Sequence, residues 1–590
     1  MIQADENALS EKNCGAIKKG IHIKNFLRSV STGEEECDSL DALNEFFNIF
    51  YKTQNESTTM KRLVTICLAI FLLSMRALAN DVQVSGVTLT GDNPNGQPAF
   101  TNVQFNLSWK NSWRDVGAPS PTANWDAVWL FVKFKDESGF YRHATLSTNP
   151  MHHNGQGFTV APAPDGKGVF IHRSTSGSGN VNLSNIQLRW TYGVDMTVPI
   201  AAVQVQVFAI EMVYVPQGAF FVGDSSFTNI NNQFARGGSI EPFLITSENQ
   251  LTLGGTNTNN LANRDNIGAA FGDDVTNTQT RMLPAAFPKG FRAFYCMKYE
   301  LSFGQMADFY NNLSAQQLTA IGGATANLTG NRTATFSGTH PNLTTNRPDR
   351  AIAYFSSSDG VPRALRYLAW AGLRPMTELQ FEKACRGVER GVPGEFAWGN
   401  ASAVAATTIS GNEDGTETIT NAQANVNYNG GTFINGDPGT GTLRVGIFAK
   451  SGTGRTQAGA SYYGIMDLSG NVEEAVVTVG NTQGRAFTGV HGSGNLNPSG
   501  RLLGNEASDW QGGSLTTRGG NWNDNFLRIR VSDRNRPGTN NNQNFKRRKN
   551  RAVKSSHKSS MRIQGAIYET TSLAYGGSHA CFGVSCRSEI

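Results

Sequence analysis

From Asn80 to about Ile210 apolar and polar residues alternate in short runs, VQVSGVTLT, VQFNLSW, AVWLFVKFK, IQLRWTY and AAVQVQVFAI, with turn-rich breaks between them. Alternate side chains of a strand share one face, so each run offers one face to a core, and the repeated spacing predicts a β-sandwich over residues 80–210. A spacer or a second binding module are both open to such a domain. Downstream the constraint is different: 64 glycines and many Asn/Thr/Ser clusters hold the chain to short strands joined by turns, with few long helices. A hydrophobic content of 39% with 16% charged residues suits folded, loop-rich globules, and 590 residues allow two to four domains.

The segment MKRLVTICLAIFLLSMRALA, residues 60–79, has the three parts of a secretory signal peptide. Lys61 and Arg62 form the basic end, Leu63 to Leu73 the apolar run, and Ala77-Leu78-Ala79 the small-residue exit before Asn80. The run is too short for a membrane span, and no cysteine follows it at a lipid-attachment position, so an exported protein without a stable membrane span is expected: periplasmic, cell-surface or extracellular. Residues 1–59 form a polar preface of no legible function. A signal peptide works at an amino terminus; either Met60 begins the exported chain, or the preface is a cytoplasmic extension on an unusual anchor.

Processing at residue 79 would leave Cys296, Cys385, Cys581 and Cys586. An even count in an exported chain permits two disulfides with three connectivities, and buried free thiols are the other reading. The net charge of +5 is local in origin, because Lys546 to Lys558 contribute seven positive charges without an acid. The rest of the chain is slightly acidic, and no nucleic-acid partner is expected.

Three helices are legible. Ser302 and Gln305 form a capping box, followed by Met306, Phe309, Tyr310 and Leu313 at helical spacing. A second helix runs from Pro362 through Leu365 and Leu368 to Gly372; a third starts at Thr377, boxed by Gln380, buries Phe381 and Ala384, and stops near Gly387. The class is α+β, loop-rich, after an all-β sandwich. No G-x-S-x-G elbow, phosphate loop or zinc spacing occurs, and His152 and His153 lack a partner at helical spacing.

Six segments between Met212 and Arg536 stand in a fixed order: MVYVPQGAFFVGD, FYCMKYELSFGQMADFYNNL, LRPMTELQFEKACRG, YYGIMDLSGNVEEA, RGGNWND and RVSDRNRP. Together they resemble the formylglycine-generating enzyme, or sulfatase-modifying factor, family. The resemblance implies that residues 211–590 adopt that family's variant of the C-type lectin fold, with insertions. It also implies structural calcium, on Asp467, Glu474 and the carbonyls of Gly470 and Val472, and at a second position on Asn425, the Val426 carbonyl, Asp437 and the Gly439 carbonyl. Such oxygen donors suit a hard cation.

The family's oxidising members bind copper(I) through two thiols just after the RGG element. No cysteine lies between Cys385 and Cys581, and amides, carboxylates and guanidinium groups are poor ligands for a soft ion, so no copper is expected. Cys581 and Cys586 have the spacing of the catalytic pair, but their context, CFGVSCR, resembles the closing element of the fold. The WND triplet at Trp522 also resembles calcium-dependent lectins, without their sugar-specifying triplet.

What remains after Arg518-Gly519-Gly520 is a polar and aromatic patch, and Asn521, Trp522, Asn523, Asp524, Asn525 and Arg528 are its candidate ligand-binding residues. Amides donate and accept, an indole gives a flat apolar face, and a guanidinium forks onto carboxylates, a mixture suited to a protein, peptide or glycan. The fold-internal reading places Trp522 in a core and Arg530, Asp533 and Arg534 in a buried ion-pair network. The expectation is an exported, bacterial, non-catalytic binding or surface-assembly protein. The competing readings are a formylglycine-generating or other oxidative enzyme, and a variable ligand-binding protein of a diversity-generating retroelement.

Overall fold

The structure, a computed structural model, describes residues 82–534 apart from 117–122, 197–199, 201–202, 227–229, 231, 264–272, 274, 277, 325–333, 353–360, 413–415, 437 and 511, together with the backbone of 561–562 and 567–569. The preface, the signal segment, Asp437, Arg536, the basic tract, Cys581 and Cys586 lie outside the described residues.

Eight strands build the amino-terminal all-β region: β1 (Gln83–Asn93), β2 (Phe100–Asp115), β3 (Asn124–Lys135), β4 (Tyr141–His143), β5 (Thr159–Pro162), β6 (Val169–His172), β7 (Gly177–Trp190) and β8 (Val205–Val215). β2 lies between β1 and β7, and β3 pairs with β4, β6 and β8, all antiparallel. The two groups meet along β2 only at its end, where Arg114 faces Trp125 and Asp115 faces Asn124. Their shared core holds the apolar face of the alternating run VQFNLSW, Val103, Phe105, Leu107 and Trp109 from β2, against Val128, Leu130, Val132 and Phe134 from β3.

The other face of β3 is buried as well. Ala127, Trp129 and Phe131 belong to a second, larger core that contains the helices, and Lys133 stands in the same row without measurable exposure. This explains why AVWLFVKFK is nearly continuous in apolar residues: both faces need them. β8 runs through the 210/211 junction, and its second half pairs with β9 (Phe294–Met297), Val215 opposite Phe294 and Met212 opposite Met297. One sheet therefore continues from the all-β region into the mixed region, and Ala77–Ile590 forms one compact unit.

The helices follow their local signals. α1 (Phe303–Asn312) has both bonds of its box, Gln305 N–H to Ser302 Oγ at 3.3 Å and Ser302 N–H to Gln305 Oε1 at 3.1 Å. The same pattern at Ser314 and Gln317 starts α2 (Ala315–Ala320), absent from the sequence reading although its S-x-x-Q signature is present. α3 spans Arg363–Trp370 with Pro362 as its N-cap. α4 (Glu378–Arg386) is boxed by Thr377 and Gln380, each cap contributing on the order of 1 kcal/mol. It ends at Gly387, whose φ of 68° and whose position, where a Cβ would meet the Tyr462 ring at 2.3 Å, both require glycine. All nine residues of α4 are buried, charged ones included.

Candidate functional site

The site expected after the RGG element is built on two short strands. β10 (Glu473–Val477) and β11 (Leu515–Arg518) pair antiparallel, with Glu474 opposite Arg518. At Gly519, φ is 77° and a Cβ would sit 2.1 Å from Glu474 Oε2; the turn away from β11 can be made only by a residue without a side chain.

Behind the turn lies a buried network of opposite charges. Arg518 donates to Glu382 Oε1 at 2.5 Å, to the Val531 carbonyl at 2.6 Å and to Glu378 Oε2 at 3.3 Å. Arg534 forks onto Glu378, through Nε at 2.7 Å and Nη2 at 3.0 Å, and reaches Asp273 at 2.9 Å. Arg386 pairs with Glu382, with Glu395 at 2.5 Å and with the Ser532 hydroxyl at 2.9 Å. Burial works against the charge on Glu378 and Glu382. The adjacent guanidinium groups, Arg534 then Arg518 for the first and Arg386 then Arg518 for the second, outweigh it and hold both carboxyls below their ordinary value. Asp273 goes the other way: burial exceeds the pull of Arg534, and its pKa is raised. The network thus ties α4 to both ends of the RGG-to-SDR segment, a structural role for Arg518 and Arg534.

The expected ligand-binding residues divide by burial. Asn521 is 1% exposed; its Nδ2 donates to Glu473 Oε1 at 2.8 Å and its Oδ1 accepts from the Asn523 amide at 2.8 Å. Trp522 is buried, in line with the fold-internal reading, and its amide donates to the Asn471 carbonyl at 2.9 Å. Asn523, Asp524 and Arg528 are half-buried and Asn525 is exposed. Asn525 Oδ1 accepts the Leu527 amide at 3.0 Å, which shapes the loop. Asp533 and Arg534 are buried, while Arg530 is half-buried with its guanidinium 4.9 Å from the Phe526 ring centre. Beneath this loop lies a crevice of only about 20 Å³, lined by Glu473, Thr517, Arg518, Gly520, Asp524, Arg528 and Asp533. Sequence reasoning missed Glu473, whose neighbour Glu474 drew attention as a metal ligand; strand alternation puts the two on opposite faces.

The residues expected to hold calcium lie in a tight turn. Asp467 (φ 57°), Gly470 (φ 81°) and Asn471 (φ 55°) all take the left-handed conformation. Asp467 Oδ2 accepts the Gly446 amide at 2.7 Å, and Asn471 Oδ1 accepts from Asn427 Nδ2 and the Leu443 amide, both at 2.9 Å. Val472 N–H donates to Glu300 Oε1 at 3.1 Å, and Glu474 is fully buried in β10. The donors available here are oxygens, the chemistry a hard cation needs. At the second position the Asn425 amide oxygen accepts the Val404 amide at 3.0 Å and the Val426 carbonyl accepts the Ala406 amide at 2.9 Å, while Gly439 lies in a two-residue strand opposite Phe433. Among the described residues no three His, Cys, Asp or Glu side chains converge as a metal-binding group.

Cys296 and Cys385 are buried within one apolar cluster, with no disulfide between them. Burial, with the charge of Glu474 next, drives the Cys385 thiol well above its ordinary value, so it is a poor nucleophile. His152 and His153 are both engaged with Ser147, through its hydroxyl and its carbonyl respectively. No helix among the described residues is long and apolar enough to cross a membrane.

A family model described as the sulfatase-modifying factor enzyme 1-like domain matches residues 189–546, more than half of the chain. No curated protein matches it.

Proposed function

The chain belongs to the sulfatase-modifying factor enzyme 1-like family, and on that premise we propose that it is an exported binding or surface-assembly protein that uses the family's fold, read as its C-type lectin variant, without the family's oxidative chemistry. The observation that carries this reading is the crevice behind the RGG turn. Its donors are the carboxylates of Glu473, Asp524 and Asp533 and the guanidinium groups of Arg518 and Arg528, with no sulfur among its described lining residues. These groups do not fit copper(I). With so little enclosed volume, the recognition surface is the exterior of the loop, formed by Asn523, Asp524, Asn525 and Arg528, and the partner is a protein, peptide or glycan. Calcium held by Asp467, Glu474 and the Gly470 and Val472 carbonyls would brace the turn that carries β10 to this loop.

Two experiments test the reading. Glycan and peptide arrays probed with the exported protein should give ligands whose capture is lost on combined Asn523→Ala, Asn525→Ala and Arg528→Ala substitution, with an unchanged melting temperature. A sulfatase-type cysteine peptide incubated with the protein and copper should remain unmodified. Turnover that disappears with Cys581→Ser or Cys586→Ser would replace the binding reading with an oxidative one.

A further inference from the structure

A second recess is much larger than the crevice at the RGG turn. It is a cleft of about 540 Å³ between the all-β region and α1, within the size range of small-molecule sites. One wall is apolar and comes from β1 and β8, including Val84, Val87, Val207 and Phe208; the opposite wall carries Tyr367 and Trp370 from α3 and Asp308 from α1.

Asp308 is the unusual member. Met306, Phe309 and Tyr310 turn the other side of α1 into the core, which leaves Asp308 facing the cleft. Solvent reaches it through the mouth, yet protein surrounds it closely enough that burial raises its carboxyl to about 6. It has no hydrogen-bond or ion-pair partner among the described residues, and no lysine, arginine or histidine is among those lining the cleft. The other titratable groups there are Asp349 and Tyr367: Asp349 is buried, and the buried Tyr367 hydroxyl is held protonated, hence neutral, by burial and by the charge of Asp308. A carboxylate in such a place is stabilised by a cation brought from outside.

From the unpaired Asp308 carboxylate facing aromatic and apolar walls, we propose that this cleft binds a small organic ammonium ion with an apolar or aromatic body. The ammonium pairs with Asp308, and the body lies against Phe208 and the half-exposed valines of β1 and β8. The inference is independent of the proposed surface at the RGG turn.

Titration of the full chain with phenethylamine, followed by calorimetry, tests it, with 2-phenylethanol as the uncharged control. Saturable binding of the amine is expected, weakened at least about tenfold by Asp308→Asn, while the alcohol binds weakly and equally to both proteins. Amine affinity should fall as the pH drops from about 8 to about 5, where Asp308 takes up a proton, and should be flat over that range in Asp308→Asn. Gln83→Lys, at an exposed lining position, supplies a competing ammonium and should also abolish amine binding. Absence of saturable amine binding, equal affinity for amine and alcohol, or unaltered amine binding in both variants would overturn the proposal.

Discussion

The side-chain nitrogen of Lys133, on β3 of the all-β region, donates to the carbonyl oxygen of Trp370, at the end of α3, over 2.6 Å. Its other partners are the Gly494 carbonyl at 2.5 Å and His143 Nδ1 at 3.0 Å, so all three ammonium protons have acceptors. Burial pushes the pKa of both Lys133 and His143 well down. With the Trp129 indole donating to the Ala371 carbonyl at 2.9 Å, this joint makes the two regions one cooperative body rather than beads on a linker.

Replacing Lys133 by Ala leaves two buried carbonyls without their donor. A loss of about 2 to 6 kcal/mol in urea unfolding is expected, since each orphaned buried acceptor costs about 1 to 3 kcal/mol. A change within experimental error would show that the joint is incidental to stability.

The RGG arginine should behave as a structural residue. Arg518→Met strands Glu382 and Glu378 in the interior and should cost about 3 to 5 kcal/mol. Asn525→Ala, on the exposed loop, should stay within about 0.5 kcal/mol of the parent. Equal effects at the two positions would remove the division between scaffold and recognition surface.

His172 supplies an acid limit. Burial holds its imidazole at about 4 against a usual 6.5; the neighbouring Arg173 carbonyl opposes the shift and Arg114 adds to it. In the window between those values the unfolded chain binds a proton that the folded chain does not, so stability declines as the pH falls. The full loss, reached below the folded value, is on the order of 3 kcal/mol. Unfolding free energies measured across this window should lose that slope in His172→Asn; an identical slope would assign the acid sensitivity to other groups.

The calcium proposed for the Asp467 turn predicts a chelator effect. EGTA should lower the melting temperature by several degrees and added calcium should restore it, because a ligand bound only by the folded state stabilises that state. Asp467→Asn should shrink the response. A melting temperature indifferent to calcium would leave the turn held by Gly446 and its other hydrogen bonds alone.

Local signals in the chain were enough to place α1, α3 and α4, since capping boxes and a stop glycine act over one helical turn. Alternation in VQFNLSW likewise marked the face of β2 that joins the shared β core, because the period-two rule needs only neighbours along one strand, whereas the second buried face of β3 departs from the single buried face that alternation predicts. The ordered motifs identified the family. Burial of the polar residues was decided elsewhere. Glu378 and Glu382 look in sequence like the solvated face of a short helix, and they are buried because Arg518 and Arg534, more than a hundred residues downstream, neutralise them. Asn521 belongs to the interior because Glu473, on a neighbouring strand, accepts from its amide there. The cleft that holds Asp308 exists only where β1, β8, α1 and α3 come together. A sequence specifies which groups can be buried by their local pattern; whether a charge is buried, paired or left facing a cavity depends on partners that only the folded chain brings within reach.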